Sequence, residues 1–200
     1  LCNVVNFNNH IDIGCGCGYF IKAMRNCNKE SFGAEIGYMY NNGLFDEIKK
    51  YVYNFGIFDF QEKTNEYYLV SAMELCEHLY SEPFDSDELD VAIDNLKNLS
   101  KKYLFITVPI ITQEYCDWLD WEGRNPKEWA RILSVNEIPT NDDGTPLLGH
   151  VTLATEAWWR KKFASHGLKQ LEKEEADVNS KLSSLDKGLL EWWHVFLYEK

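Results

Sequence analysis

From residue 11 to residue 20 the chain reads Ile-Asp-Ile-Gly-Cys-Gly-Cys-Gly-Tyr-Phe. An apolar strand ends in an acid, three glycines alternate, and an apolar, helix-like segment begins. This run constrains the fold more than any other. A residue without Cβ lets the backbone turn tightly, take positive φ and admit a ligand close to the main chain. The helix that follows presents unpaired N–H groups at its start. Asp12, at the strand end, is placed to accept hydrogen bonds from a cationic or polyhydroxylated ligand. Strand, loop and helix together predict a site for a nucleotide-like cofactor.

Spacing narrows the choice of cofactor. A dinucleotide fingerprint reads G-x-G-x-x-G, whereas here the pattern is D-x-G-x-G-x-G through Asp12, Gly14, Gly16 and Gly18. It resembles motif I of the class I S-adenosylmethionine-dependent methyltransferases, and four further segments fit the same family. Phe32–Gly37 reads as a second short strand, and Glu35 matches the acid that in the family bonds the two ribose hydroxyls. Gly56–Phe60 is expected to be the end of a third strand, with Asp59 matching the acid at the adenine amino group and Phe60 flanking the ring. Tyr67–Glu74 resembles the fourth strand and the loop under the methionine moiety, which includes Met73. Lys102–Pro109 resembles the fifth strand. The family often carries an acid near Tyr68; the aromatic here replaces a position that is commonly structural.

The layout alternates strand and helix, the sign of a parallel sheet with right-handed crossovers. Strands are expected near 10–14, 32–36, 56–60, 67–72 and 103–108, and helices near 19–27, 38–50, 86–99 and 155–166. The resemblance implies that Leu168–Glu172 and Trp192–Tyr198 form a closing antiparallel pair. The expected fold is thus α/β: a Rossmann-like, doubly wound seven-stranded sheet, mostly parallel with an antiparallel C-terminal strand. Residues 1–200 read as a single domain. Family members usually have one or two helices before the first strand, so N-terminal truncation is expected. Residues 111–149 break the rhythm with Tyr115, Trp118, Trp121, Trp129 and the turn-like Asn141–Pro146. A connection this long is usually functional, so an acceptor-side insert or lid is expected; sealing of the sheet edge is the equal alternative.

Two hundred residues, with seven Trp, eleven Tyr and eleven Phe, suffice for a sizeable core. No apolar stretch is long enough to span a bilayer. The net charge of −12 makes long nucleic acid an unlikely partner, since phosphate backbones need clustered Lys and Arg. The densest basic spot, Arg160-Lys161-Lys162, reads as a solvated helix face. The six cysteines show no paired zinc-knuckle spacing. Cys15 and Cys17 read as small loop fillers, and a reduced, cytoplasmic setting is expected.

The sharpest chemical expectation lies in Glu74-Leu75-Cys76-Glu77-His78-Leu79. If helical, Glu74, Glu77 and His78 share a face at i, i+3 and i+4. Two acids that close repel unless a cation lies between them, and His150 is a fourth candidate ligand for a divalent metal. The E-x-x-E-H pattern with a distant His resembles the metal site of methyltransferases acting on terminal ribose or on catechol-like quinone precursors. There Mg or Mn would bind vicinal oxygens and acidify the attacking hydroxyl. Many class I enzymes carry a similar turn without metal, and His78 would then be the catalytic base or a pocket-lining residue. His150–Trp159 also resembles methyltransferases associated with surface-glycan synthesis.

The function implied is S-adenosylmethionine-dependent O-methylation of a small-molecule or glycan acceptor, such as a nucleotide-sugar hydroxyl. The alternatives are the metal-assisted version and a non-catalytic cofactor-binding domain that docks a partner enzyme. A nicotinamide-dependent oxidoreductase is disfavoured by the glycine spacing. Oligomeric state is left open by the sequence.

Overall fold

The computed structural model describes residues 1–60, 64–82, 84–112, 131–185 and 193–200. Its strands are β1 (Asn9–Ile13), β2 (Glu30–Ala34), β3 (Val52–Tyr53), β4 (Tyr67–Met73), β5 (Ser100–Pro109), β6 (Lys169–Gln170) and β7 (Trp193–Glu199). Its helices are α1 (Tyr19–Asn26), α2 (Asp46–Lys49), α3 (Glu88–Leu99), α4 (Glu156–Ser165) and α5 (Glu172–Leu185). The seven strands form one sheet in the order β3-β2-β1-β4-β5-β7-β6. β3 through β5 pair in parallel, and β7 pairs antiparallel with both β5 and β6. The expected sheet is therefore observed: β7 is the antiparallel strand, and β6 beyond it runs again in the direction of β1 to β5.

Alternating residues feed two cores, as the period of two in a strand requires. On one face Ile11, Ile13, Val70, Ala72, Leu104, Ile106, Phe196 and Tyr198 pack with α3 and with Trp158, Trp159 and Phe163 of α4. On the other, Leu69, Tyr103, Phe105, Val195 and Leu197 meet Met24 and Phe20 of α1 and Val178 of α5. Layers on both faces make the sheet doubly wound. Strand order reverses between β1 and β4, and in such sheets ligands bind in the crevice beyond the strand ends at that point. The glycine loop leaves β1 there, and the Glu74–His78 turn leaves β4 beside it.

Two expected elements are corrected. Residues 56–60 are not a strand: Ile57–Phe60 is a turn of 3₁₀ helix, and the third strand is Val52–Tyr53. The Asp59 carboxylate accepts the Gly56 N–H at 2.7 Å and closes that turn instead. Residues 38–50 are not one helix. Met39–Gly43 forms a π-helical turn, Leu44 is extended, and Asp46–Lys49 is a separate short α-helix. The Asn-Asn-Gly sequence at 41–43 favours such an interruption, since these residues are poor helix formers.

The basic run of α4 is not a free solvated face. Arg160 donates to Glu156 and to the buried Glu175 at 2.7 Å each, and Lys162 donates to Asp90 at 2.7 Å. These pairs tie α4 to α5 and to α3. The Asn141–Pro146 turn is observed, closed by Gly144 N–H to Asn141 C=O at 2.9 Å. Tyr115, Trp118, Trp121, Trp129 and Trp192 lie outside the described residues. Among the described residues no helix is long and apolar enough to cross a membrane.

Candidate active site

The loop after β1 is built by its glycines. Gly14, Gly16 and Gly18 all have positive φ, at 70°, 52° and 88°. At Gly18 an added Cβ would lie 2.5 Å from Ile48 Cγ2, so the residue is needed for packing. At Gly16 an added Cβ would meet nothing within 4 Å, so the backbone there faces open space. Glu35, just past β2, anchors the loop: its Oε2 accepts the Gly16 N–H at 2.7 Å and its Oε1 accepts the Ile36 N–H at 2.8 Å. Cys15 packs beneath with Ile21, Ile48 and Val52, which is the filler role expected of it.

Asp12 is 1% exposed. Its Oδ1 accepts the Ser71 hydroxyl at 2.5 Å, while its Oδ2 has no hydrogen-bond partner. Burial pushes its pKa up to about 7; the Ser71 bond pulls the other way and the charge of Glu35 adds to the rise. A buried polar atom left unpaired is rare and points to a missing partner. His10 lies on the same face of β1, with Nδ1 2.8 Å from Ser31 Oγ and Nε2 2.8 Å from Ser71 Oγ. Burial pushes its pKa down to about 3, so it is neutral. Sequence reasoning missed Ser31, Ser71 and His10. The residues at 10, 12, 31 and 71 become neighbours only through register: His10 faces Ser31 across β1/β2, and Asp12 faces Ser71 across β1/β4.

Asp59 is exposed beside the crevice. Phe60 does not flank it: the ring is 1% exposed and belongs to the core. The exposed rings in that stretch are Phe55 and Phe58. Met73 is half-buried at the end of β4, packed against the second core.

The Glu74–His78 segment departs from the expected α-helical face. Glu74 takes φ 53°, and its carboxylate accepts the Thr107 hydroxyl at 2.9 Å. Only Cys76–His78 is helical, and as 3₁₀. The cluster that forms instead is Glu77, His78 and His150, with candidate ligand atoms all within 4.8 Å of one another. The backbone brings these residues together, since the Val151 and Thr152 N–H groups both donate to the Glu77 carbonyl, at 2.9 and 3.0 Å. The Thr152 hydroxyl adds a bond to the Leu79 carbonyl at 2.7 Å. The rings of His78 and His150 then meet edge to face at 5.0 Å.

Glu77 is fully buried, and the side chain within hydrogen-bond reach of its carboxyl is that of Glu74. Burial and the charge of Glu74 push its pKa up to about 9. His78 is exposed, and its Nδ1 lies 3.1 Å from the Gly149 carbonyl. A carbonyl only accepts, so Nδ1 carries the proton in that bond and Nε2 keeps its lone pair. Burial, and then the neighbouring His78, lower the pKa of His150.

No family model and no curated protein sequence matches this chain. Solved structures do. The PH0226 protein of Pyrococcus horikoshii is 12% identical, with 97% of this chain and 82% of that one covered at a TM-score of 0.58. A SAM-dependent methyltransferase from Archaeoglobus fulgidus is 13% identical, with 98% and 87% covered at 0.56. Magnesium protoporphyrin IX methyltransferase from Synechocystis PCC 6803, with bound S-adenosylhomocysteine, is 12% identical, with 99% and 76% covered at 0.54. Across such matches the chain spans from 53% to 92% of the other protein's length. The chain has the Rossmann-like fold of the class I S-adenosylmethionine-dependent methyltransferases.

Proposed function

We propose that this protein transfers a methyl group from S-adenosylmethionine to an oxygen of a small polar acceptor. The observation that carries the reading is the opening over Gly16, at the sheet's switch point, with the loop-anchored Glu35 beside it and an unpaired Asp12 Oδ2 at the end of β1. The residues fit the cofactor: Asp12 suits a cationic amine, Glu35 and Asp59 suit hydroxyl and amino donors, and the glycines admit the ligand to the backbone. When bound, S-adenosylmethionine supplies an electrophilic methyl carbon on a sulfonium.

The chain's task is alignment and exclusion of water. The Gly14–Gly18 loop fixes the donor side. His78, on the turn after β4, offers Nε2 to take the proton of an acceptor hydroxyl, while its Nδ1–H is held by Gly149. A glycan or nucleotide-sugar hydroxyl is the acceptor class we favour. Support comes from the resemblance of His150–Trp159 to glycan-associated enzymes and from the ion pairing of Arg160 and Lys162, which leaves α4 a poor platform for long nucleic acid. A cytoplasmic setting completes the reading.

The fully buried Glu77 carboxyl beside two imidazoles and the Glu74 carboxylate supports a second reading, in which Glu77, His78 and His150 hold Mg or Mn. A metal there would neutralise Glu77 and acidify a diol acceptor. Glu74, whose carboxylate also accepts the Thr107 hydroxyl, lies against Glu77 and is a further candidate ligand. Transfer of label from methyl-labelled S-adenosylmethionine across a panel of sugar, nucleotide-sugar and catechol acceptors, with and without chelator, tests both readings. Chelator-insensitive transfer to a sugar supports the first; loss of transfer on chelation supports the second; no transfer to any acceptor would contradict both.

A further inference from the structure

Beneath the glycine loop lies a polar chain that crosses three strands inside an otherwise apolar layer. Ser31 Oγ, His10 Nδ1, His10 Nε2, Ser71 Oγ and Asp12 Oδ1 follow one another at 2.8, 2.8 and 2.5 Å. All four residues are at most 1% exposed. The rings of Phe7 and Phe20 lie against His10, Phe20 edge-on at 5.3 Å. The charge acting on Asp12 from neighbouring elements is that of Glu35, of the same sign, and the Cys15 thiol beside it is held protonated by burial.

Hydrogen-bond chemistry allows this chain two orientations, and Asp12 selects between them. When Asp12 is ionised it only accepts. The Ser71 O–H must then point to Asp12, His10 Nε2–H must donate to Ser71, and the Ser31 O–H must donate to a bare Nδ1. When Asp12 carries a proton on Oδ1, every bond reverses: Asp12 donates to Ser71, Ser71 to Nε2, and Nδ1–H to Ser31. His10 stays neutral in both states and changes only its tautomer. Bonds aligned in one direction polarise one another, so the chain acts as a unit.

We propose that His10 and Ser71 are positioning residues for cofactor binding: when Asp12 is ionised their hydrogen-bond chain aims its carboxylate at a cationic group of the ligand, and the chain reverses when Asp12 is protonated. The inference rests on the reading of the loop as a cofactor site and deepens it. The unpaired Oδ2 is the atom left free for the ligand. With the Asp12 pKa at about 7 in the free protein, binding of an ammonium-bearing ligand expels the proton, and affinity rises with pH until Asp12 is ionised unaided. His10, at about 3, contributes no charge over that range.

The test combines two measurements on the intact protein. The first is calorimetric titration with S-adenosylhomocysteine from about pH 5.5 to about pH 8.5. Affinity should fall about tenfold per unit below about pH 7. In Ser71→Ala, binding at the upper pH should weaken about tenfold and the midpoint should move up, as expected for losing a bond to a charged group. The second is ¹⁵N NMR of the His10 ring in the unliganded wild type. It should show the Nδ1–H tautomer at low pH, the Nε2–H tautomer at high pH, and Nε2–H at either pH once ligand is bound. A merely structural histidine would not change tautomer with either variable. Failure of the wild type to bind at any pH overturns the cofactor reading and the relay with it. Binding with a flat pH profile and an unchanging tautomer overturns the relay alone.

Discussion

Replacing Gly16 and Gly18 by alanine, one at a time, should separate binding from stability. Both have positive φ, at 52° and 88°, and an L-residue there costs roughly 1–2 kcal/mol. For Gly16→Ala that strain is the whole cost, because the new methyl has no atom within 4 Å. For Gly18→Ala the methyl would also lie 2.5 Å from Ile48 Cγ2, and forced overpacking adds about 1–3 kcal/mol, for a total of about 2–5 kcal/mol. A domain of this kind is stable by about 5–15 kcal/mol in all, so Gly18→Ala should be folded but visibly weakened. Urea unfolding followed by circular dichroism reads this difference as a shift in midpoint. Affinity for S-adenosylhomocysteine should show the opposite order of specificity. Gly16→Ala places a methyl in the opening itself and should bind at least about tenfold more weakly, about 1.4 kcal/mol, with a smaller shift in midpoint than Gly18→Ala. A Gly16→Ala protein with wild-type affinity, or one destabilised as much as Gly18→Ala, would refute the argument that Gly16 is open for a ligand.

Three further outcomes follow from the site. Glu35→Ala removes the acceptor of the Gly16 N–H and the proposed ribose contact, and calorimetry should show a binding loss of about 1.5–3 kcal/mol; unchanged affinity would mean Glu35 is misassigned. His78→Ala removes an exposed side chain, so S-adenosylhomocysteine binding should persist while single-turnover methyl transfer disappears; retained transfer would demote His78 to a lining residue. The unliganded protein should lose stability as pH rises, because the folded pKa of Asp12 is about 7 against an ordinary 3.8. The native state then binds the extra proton between about pH 4 and pH 7, worth up to about 4 kcal/mol from Asp12. His10, at about 3 against an ordinary 6.5, returns a similar amount by about pH 6.5, so the net loss falls mainly above about pH 6.5. Glu77 extends the same trend towards about pH 9. Thermal melts at about pH 5 and pH 8 check the sign, and a melt that rises with pH would show that these carboxyls are not buried as described.

The sheet and the glycine loop were legible because each rests on a local signal. β1 ends in Asp12-Ile13-Gly14, and three glycines at alternate positions have few uses other than a tight turn under a helix. The third strand was misplaced because Val52–Tyr53 is only two residues long, too short for a period to show, while Gly56–Phe60 carries the apolar alternation of a strand. Phe60 illustrates a second limit: next to an acid it read as a ligand-facing ring, yet a 3₁₀ turn points it into the core. The Glu74–His78 spacing fits one helical face only if φ stays negative, and Glu74 at φ 53° breaks that face. Glu77 and His78 meet His150 through backbone bonds from Val151 and Thr152. The Ser31–His10–Ser71–Asp12 chain was invisible because it depends on register between strands far apart in sequence, which no local pattern encodes.

The central claim is that the opening over Gly16, beside Glu35, binds S-adenosylmethionine. The most direct measurement is calorimetric titration of the folded protein with S-adenosylhomocysteine at about pH 8, where Asp12 is ionised. The account expects one site per chain with micromolar affinity, about −8 kcal/mol, abolished or strongly weakened in Gly16→Ala and Glu35→Ala. A folded protein that gives no heat of binding, or that binds equally well in both variants, would contradict it.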